Sequence, residues 1–389
     1  MCKCQKSCTF AHEMELLLGK TISELQVAAT SVGLPKFTGK QLAEWLYVHR
    51  VRTFDEMTNI SLKGREALKR TYSIGRHEPV THADSVDGTK KFLFKVTISN
   101  DNKDRNTTNA IEQYIESVYI PDDDRGTLCV STQAGCKMGC RFCMTGTLGF
   151  HGQLTAAEIL NQIFEIDAIV SPDSRSGGLT NLVYMGEGEP MDNIDNVLRS
   201  LEIMTSDYGC AWSPKRITVS SVGIISGLQR FLEESECHLA ISLHNPYPIE
   251  RQEIMPAEKM CSIIDIVNLL KQYDWSHQRR VSFEYICWSG LNDTPRHAKE
   301  LLSLLHGLTC RINLIRFHES KTEQNTRKHS TDITLNSSNE RSMEWFCNYL
   351  NDNGIITTIR RSRGEDILAA CGQLVNALQK QTDSFQKQH

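Results

Sequence analysis

Three cysteines, Cys136, Cys140 and Cys143, stand in a C-x₃-C-x₂-C run inside CVSTQAGCKMGCRFCMTG. Thiolates spaced this way on one short loop can occupy three corners of a [4Fe–4S] cube. One iron then lacks a protein ligand and is open to the amino and carboxylate groups of S-adenosylmethionine, whose sulfonium a reduced cluster can cleave to a 5′-deoxyadenosyl radical. The alternative is a structural zinc knuckle. Zinc asks for four closed ligands, and Cys129, seven residues ahead of the triplet, is the available fourth thiolate.

Other residue types support ligand chemistry. The apolar run NLVYMG leads into Gly186-Glu187-Gly188-Glu189-Pro190, where Gly188 lets the backbone approach a ligand and Glu189 can accept from a charged amine. Ser220 lies at the end of RITVSS, and Ser242-Leu243-His244 ends HLAISLH. Each alone reads as a satisfied polar residue; together at strand ends they read as cofactor contacts. Near the C-terminus, Cys371 sits among Ala369, Ala370 and Gly372, small neighbours that leave a thiol reachable, so reactivity competes with simple burial.

The elements that must position these residues follow from periodicity. Met14 to about Gly75 has a helical pattern. Pro35 and Gly39 lead into QLAEWLYVHR, which places Leu42, Trp45, Leu46 and Val48 on one side, and Lys63–Tyr72 is a short basic helix. From Lys90 the period changes to that of strands, in KKFLFKVTI and YIESVYIP. Seven β-rich runs follow: TLCVS, NLVYMG, RITVSS, HLAISLH, RVSFEYI, RINLIRF and ITTIRRS. Helical stretches such as TAAEILNQIFEIDAIV and CSIIDIVNLLKQY separate several of them. This rhythm predicts an α/β protein: a partial (β/α) barrel of parallel strands with a small helical N-terminal domain, functional residues lying in the loops after the strands. The expected division is a flexible extension (1–13), a helical accessory domain (14–88), a β-rich linker (89–126), a catalytic domain (127–378) and a loose tail (379–389).

With 40% hydrophobic and 23% charged residues and a net charge of -4, the chain reads as an ordinary globular protein, with no global sign of nucleic-acid binding. Met14 to His77 nevertheless carries ten Lys/Arg against six Asp/Glu, a mildly basic front that is also explained by a solvated helical face. Of the 14 cysteines, Cys237, Cys261, Cys287, Cys310 and Cys347 lie singly in apolar stretches and read as small buried hydrophobes. Met1–Ala11 contains Cys2, Cys4 and Cys8 at no standard zinc spacing and lacks the apolar segment of a signal peptide. Met14 is a candidate start, and a reducing cytoplasm without membrane attachment is expected.

The sequence resembles the RlmN/Cfr family of radical adenine methyltransferases. The likeness rests on IESVYIPDDDRGTLCVSTQAGCKMGCRFCMTGTLGF, MGEGEP, LAISLHNP, RINLIRFH and RSRGEDILAACGQL in family order, with GLPKFTGKQLAEWLY and TFDEMTNIS similar to the family's N-terminal domain; it runs from about residue 20 to 375. The resemblance implies the radical SAM fold and a [4Fe–4S] cluster on Cys136, Cys140 and Cys143. It implies two S-adenosylmethionine molecules per turnover, contacted by Gly188, Glu189, Ser220, Ser242, Leu243, His244 and His318. Cys371 would be the S-methylated cysteine, Cys129 its resolving partner through a disulfide, and Glu116 the proton acceptor. The implied substrates are C2 of an adenosine at the peptidyl-transferase centre of 23S rRNA and an anticodon-loop adenosine of tRNA. An electron donor such as flavodoxin and a monomeric chain are also expected. The rivals are a C8-adenine methyltransferase of the Cfr type and a cluster- or zinc-bearing RNA-binding module. Two positions depart from the family pattern: Glu187 stands where Met is common, and Val222 where Ser or Thr is common; His318 is Asn in some relatives. The basic front and Arg360, Arg361 and Arg363 are candidate phosphate contacts, unless these arginines pair with the Asp122–Asp124 run.

Overall fold

The computed structural model describes residues 14–99, 110–171, 178–275, 280–318 and 334–369. The front of the chain is helical, with α1 (Ile22–Ser31), α2 (Thr38–Ala43) and α3 (Leu62–Thr71). The Glu24 carboxylate accepts from the Thr21 N–H (2.8 Å) to cap α1, and the Ser61 hydroxyl accepts from the Gly64 N–H (3.2 Å) to cap α3. A parallel pairing of Glu15–Leu16 with Tyr72–Ser73 ties the two ends of this module together.

One helix departs from its expected phase. After α2 the chain widens into a π-turn over Glu44–Val48, in which the His49 N–H donates to the Glu44 carbonyl five residues back. Leu42 and Leu46 remain buried, but the extra residue in the turn rotates Val48 outward, where it is 58% exposed.

Ten strands form one sheet: β1 (Thr81–Asp84), β2 (Lys90–Ser99), β3 (Ala110–Asp122), β4 (Arg125–Cys129), β5 (Asn181–Tyr184), β6 (Ile217–Ser221), β7 (His238–Ser242), β8 (Val281–Cys287), β9 (Cys310–Arg316) and β10 (Ile356–Ile359). Their order across the sheet follows the chain, with β1 and β10 at opposite edges. β1 to β4 are antiparallel neighbours, and β4 to β10 pair in parallel. The seven β-rich runs of the sequence are these seven parallel strands, so the expected partial (β/α) barrel is what the chain forms. Helices cover its outside, among them α4 (Ala156–Val170), α5 (Ile194–Thr205), α6 (Ile225–Glu234), α7 (Pro248–Ile254), α8 (Ile263–Leu270), α9 (Pro295–Leu305) and α10 (Glu340–Asp352).

Alternation along each strand sorts the two faces. Leu128, Leu182, Val219, Leu239, Phe283 and Ile312 pack under the helices, leaving Thr127, Cys129, Ser220, Ser242, Glu284 and Asn313 on the concave face. Cys237, Cys261 and Cys287 are buried as expected, whereas Cys310 and Cys347 are only half-buried. Cys310 opens its strand, where the covering layer is thin, and Cys347 lies on α10 with its thiol on the Thr357 carbonyl (3.4 Å). No helix among the described residues is long and apolar enough to cross a membrane.

The helical front is not a loosely tethered unit. Leu17, Leu25, Leu46 and Met57 belong to one continuous core with Ile163, Phe164 and the strands. Across the same seam, the Arg76 Nε donates to Glu165 (2.7 Å), Arg52 also pairs with Glu165, and Arg50 pairs with Asp167. Asn161 closes a two-way hydrogen bond with the main chain of His77 (2.9 and 2.8 Å). Glu165 has no exposed surface and Arg76 only 3%, so removing the cation leaves a buried charge short of a partner. We expect Arg76→Met to lower unfolding stability by about 3 kcal/mol in urea titrations. Lys69→Ala, which removes an exposed pair with Asp55, should leave the midpoint unchanged; equal effects would show that the buried seam carries no special share of the stability.

Candidate active site

The cysteine loop starts where β4 ends. Gln133–Gly135 pairs antiparallel with Phe150–Gln153 in a small hairpin that the sequence pattern did not reveal, and the Cys136 N–H donates to the Gly149 carbonyl (2.8 Å). Gly135 sits at φ +70°, and a Cβ there would strike the Gly149 carbonyl, so only glycine closes the loop this tightly. The Cys143 N–H donates to the Cys140 carbonyl (3.1 Å) and the Arg141 N–H to the Ile254 carbonyl (2.9 Å), which fixes the loop against the end of α7.

Cys136, Cys140 and Cys143 gather in an apolar nest with Met138, Val222, Met255, Trp288 and Phe317. Burial pushes the Cys136 thiol up to about 12 and raises Cys140 and Cys143 as well. Negative charge on Cys143 raises both Cys136 and Cys140 further, so the three sulfurs cannot all ionise unaided. A bound iron cluster would supply the missing positive charge, and the residues present fit that group. Among the described residues no three His, Cys, Asp or Glu converge as closely as a single metal ion requires. Cys129, the fourth ligand of the zinc alternative, packs instead with Val118, Ile120 and Ala369.

Around the loop, Phe142 lies edge-on to His244 (ring centroids 4.8 Å apart) and 5.4 Å from Trp288. His244 is buried at φ +55°; its Nδ1 accepts from the Ile286 N–H (3.1 Å), and burial with the nearby Arg251 charge pulls its pKa down to about 3, so the ring is neutral. The Trp288 Nε1–H is buried without a hydrogen-bond partner among the described residues, a donor left open beside the loop.

Glu189 spans two strand ends. Its carboxylate accepts from the Ser221 hydroxyl (2.6 Å) and from the Val222 (2.9 Å) and Met191 (3.0 Å) N–H groups, and burial holds its pKa up at about 7. Gly188 stands at φ +98°, and a side chain there would run into Gln133. Ser220 and Ser242 are half-buried on the concave face. Leu243 differs from its neighbours: its side chain is in the helix-side core, its N–H donates to the Glu284 carbonyl and its carbonyl accepts from Arg251. His318, just past β9, bonds Ser362 through Nε2 and lies 3.4 Å from Glu365.

A second group of predicted residues meets on the neighbouring strands. Cys129, the last residue of β4, is in register with Val118 on β3 and Val183 on β5. Glu116, two residues before Val118 on the same face, is buried and paired with Lys91 (3.1 Å). Cys371 lies outside the described residues, and with it the disulfide expected between it and Cys129; no disulfide joins any two of the ten cysteines that are described. The chain leading to it is placed, however. Ala369 packs beside Val118 and Cys129, and the Leu368 carbonyl accepts from Lys91 (3.5 Å).

Comparison with known proteins is decisive. The Ribosomal RNA large subunit methyltransferase N-terminal domain family matches residues 16–74, and the Radical SAM superfamily matches residues 130–304. A protein of Phocaeicola vulgatus named probable dual-specificity RNA methyltransferase RlmN is 52% identical over 364 residues, covering 94% of this chain and 96% of its own. The dual-specificity RNA methyltransferase RlmN of Marinobacter nauticus is 37% identical, with 97% of each chain covered. The chain belongs to the RlmN family. A crystal structure of a radical SAM methyltransferase from Sphaerobacter thermophilus, 32% identical, superimposes with a TM-score of 0.79 over 92% of this chain and 98% of that one. The fold is accordingly the radical SAM fold, and members of this family use a [4Fe–4S] cluster and S-adenosylmethionine.

Several groups at this RlmN-family site carried no local signal. Arg251 is fully buried: it pairs with Glu258 and donates to the Leu243 (2.9 Å) and Ser242 (2.8 Å) carbonyls, setting a positive charge behind Cys140. Lys91 and Ser221 are equally unremarkable in sequence, and Glu187 stood out only as a departure from the family pattern. Burial, with the Glu116 charge adding to it, raises the Glu187 pKa to about 8. Of the candidate phosphate contacts, Arg363 pairs with Asp122 (3.1 Å) and Arg360 with Glu284 (3.5 Å).

If the loop holds the cluster as its spacing implies, replacing Cys140 by Ala removes one corner of that site and little packing. The variant is expected to keep its circular dichroism spectrum but to hold substoichiometric iron after anaerobic reconstitution and to form no 5′-deoxyadenosine. Wild-type iron content and brown absorption in Cys140→Ala would refute the assignment of the loop.

Proposed function

We propose that this enzyme methylates C2 of adenosine in 23S ribosomal RNA and in tRNA through an S-methylcysteine on Cys371. The observation that carries the reading is the meeting of Cys129, the Lys91–Glu116 pair and the chain leading into Cys371 on adjacent strands, next to the cysteine loop. The names of the relatives, dual-specificity RNA methyltransferases, support the substrate class.

Cys136, Cys140 and Cys143 would hold the cluster, and Gly188, Glu189, Ser220, Ser242, the Leu243 main chain, His244 and His318 would surround S-adenosylmethionine. Bound there, these groups supply the methyl group, the electron and the hydrogen abstraction that an electron-poor aromatic carbon demands. The chain's own residues do the rest. The Cys371 thiolate takes a methyl by displacement, and its methyl carbon becomes joined to adenine C2. Glu116 accepts the proton lost from C2; Lys91 pairs with this carboxylate (3.1 Å) and donates to the Leu368 carbonyl (3.5 Å), holding it beside the chain that leads into Cys371. The Cys129 thiolate then attacks the Cys371 sulfur and breaks its bond to the transferred carbon, which takes up a proton as the methylated RNA leaves and the disulfide forms.

The division into accessory (14–88), linker (89–126) and catalytic (127–378) segments belongs to this proposal, as do RNA contacts from the front module and Arg361. So do the cytoplasmic location, the monomeric state and a flavodoxin-like electron donor.

Cys129→Ala separates this chemistry from simple packing. The variant should still be methylated at Cys371 and still join RNA, accumulating a covalent enzyme–RNA adduct that survives denaturing gels and disappears on nuclease digestion. Normal turnover without an adduct would remove the two-cysteine mechanism. Mass and retention analysis of nucleosides from the wild-type reaction should give 2-methyladenosine; 8-methyladenosine would place the enzyme in the C8 branch.

A further inference from the structure

The ladder between β3 and β4 runs from Asp122 opposite Arg125 to Val118 opposite Cys129 and stops there. Residues 116, 118 and 120 turn their main-chain groups toward β4, because alternate residues of an antiparallel strand face the same neighbour. At Glu116 that neighbour is gone: the chain after Cys129 has turned into the cysteine loop. The N–H and the carbonyl of Glu116 are both buried there, and neither can go without a partner at low cost.

Two side chains replace the missing strand. The Glu187 Oε1 accepts the Glu116 N–H (2.8 Å), and the Ser131 hydroxyl donates to the Glu116 carbonyl (2.6 Å). Glu187 is locked to the same loop through its other three polar groups. Its N–H donates to the Ser131 Oγ (2.8 Å), and its carbonyl accepts from the Thr132 (2.8 Å) and Gln133 (3.2 Å) N–H groups. Its Oε2 accepts the Gly135 N–H (3.3 Å), one residue ahead of Cys136.

We propose that Glu187 is a positioning residue whose carboxyl group clamps the main chain of Glu116 to the main chain of the cysteine loop, fixing the proton acceptor relative to the reacting carbon. The inference rests on the reading of Glu116 as proton acceptor. It gives a role to the position at which this chain departs from the Met common in the family. Methionine has no acceptor for either N–H; glutamine keeps one oxygen but turns an NH₂ toward the other donor.

The test compares full-length, anaerobically reconstituted Glu187→Met, Glu187→Gln and Glu116→Gln with wild type. Iron content, 5′-deoxyadenosine, released methyl-RNA, trapped enzyme–RNA adduct and amide hydrogen exchange over residues 112–118 and 131–136 are measured. A clamp predicts wild-type iron and 5′-deoxyadenosine in Glu187→Met, faster amide exchange in both segments, and release of methylated RNA slowed about tenfold with adduct trapped. Glu187→Gln should fall between this variant and wild type, and Glu116→Gln should trap adduct without faster exchange. Wild-type exchange and release in Glu187→Met overturn the proposal, as does a loss of iron, 5′-deoxyadenosine and product in equal proportion, which marks a purely structural residue. Normal release by Glu116→Gln overturns the reading of Glu116 instead, and the exchange data then decide the clamp alone.

Discussion

The end of β4 at Cys129 is the constraint on which the rest of the site depends. A strand five residues long must finish a hydrogen-bonded ladder, present a thiol on the concave face and turn at once into a loop that gathers three more thiols. Such an abrupt stop leaves backbone groups of the next strand without partners. The structure meets this with side chains from the loop and from the end of β5, and so the strand bearing Glu116, the cysteine loop and the glycine-rich turn become one mechanical unit.

Charge is handled by the same close matching. Lys91 with Glu116 and Arg251 with Glu258 are pairs removed from water, and each is held by further hydrogen bonds to main-chain carbonyls. Such pairs add little net stability compared with apolar packing, but losing one partner is costly, so they fix geometry. Among the described residues the three loop thiols have no ion-pair partner of their own, Arg251 acting on Cys140 only from behind the loop. Burial raises the pKa of all three, so in the proposed role as cluster ligands their ionisation would accompany binding of the cluster.

The helical front contributes through the outside of the barrel. Its arginines reach Glu165 and Asp167 on α4, the helix that returns the chain from the cysteine loop to β5, and its apolar residues share the core of that helix. Any surface the module offers to RNA is therefore held in fixed relation to the catalytic face.

The sequence by itself determined the seven parallel strands, because each is buried on the helix side and reads as a short β-branched run between helical segments. It also determined the cysteine triplet and the strand-end positions of Glu189, Ser220, Ser242 and His244, since ligand spacing and loop placement are local properties. β1, Thr81–Asp84, was not legible: it is an exposed edge without alternation and exists only because β2 offers a partner. The outward turn of Val48 was hidden because an α-helix and a π-turn share one composition. Only the tertiary structure decided that Lys91 belongs to Glu116, that Arg251 backs the cysteine loop and that Glu187 completes the edge of β3. These partners lie tens of residues apart in the chain, and a charged side chain takes on its role only when burial removes water as the competing partner.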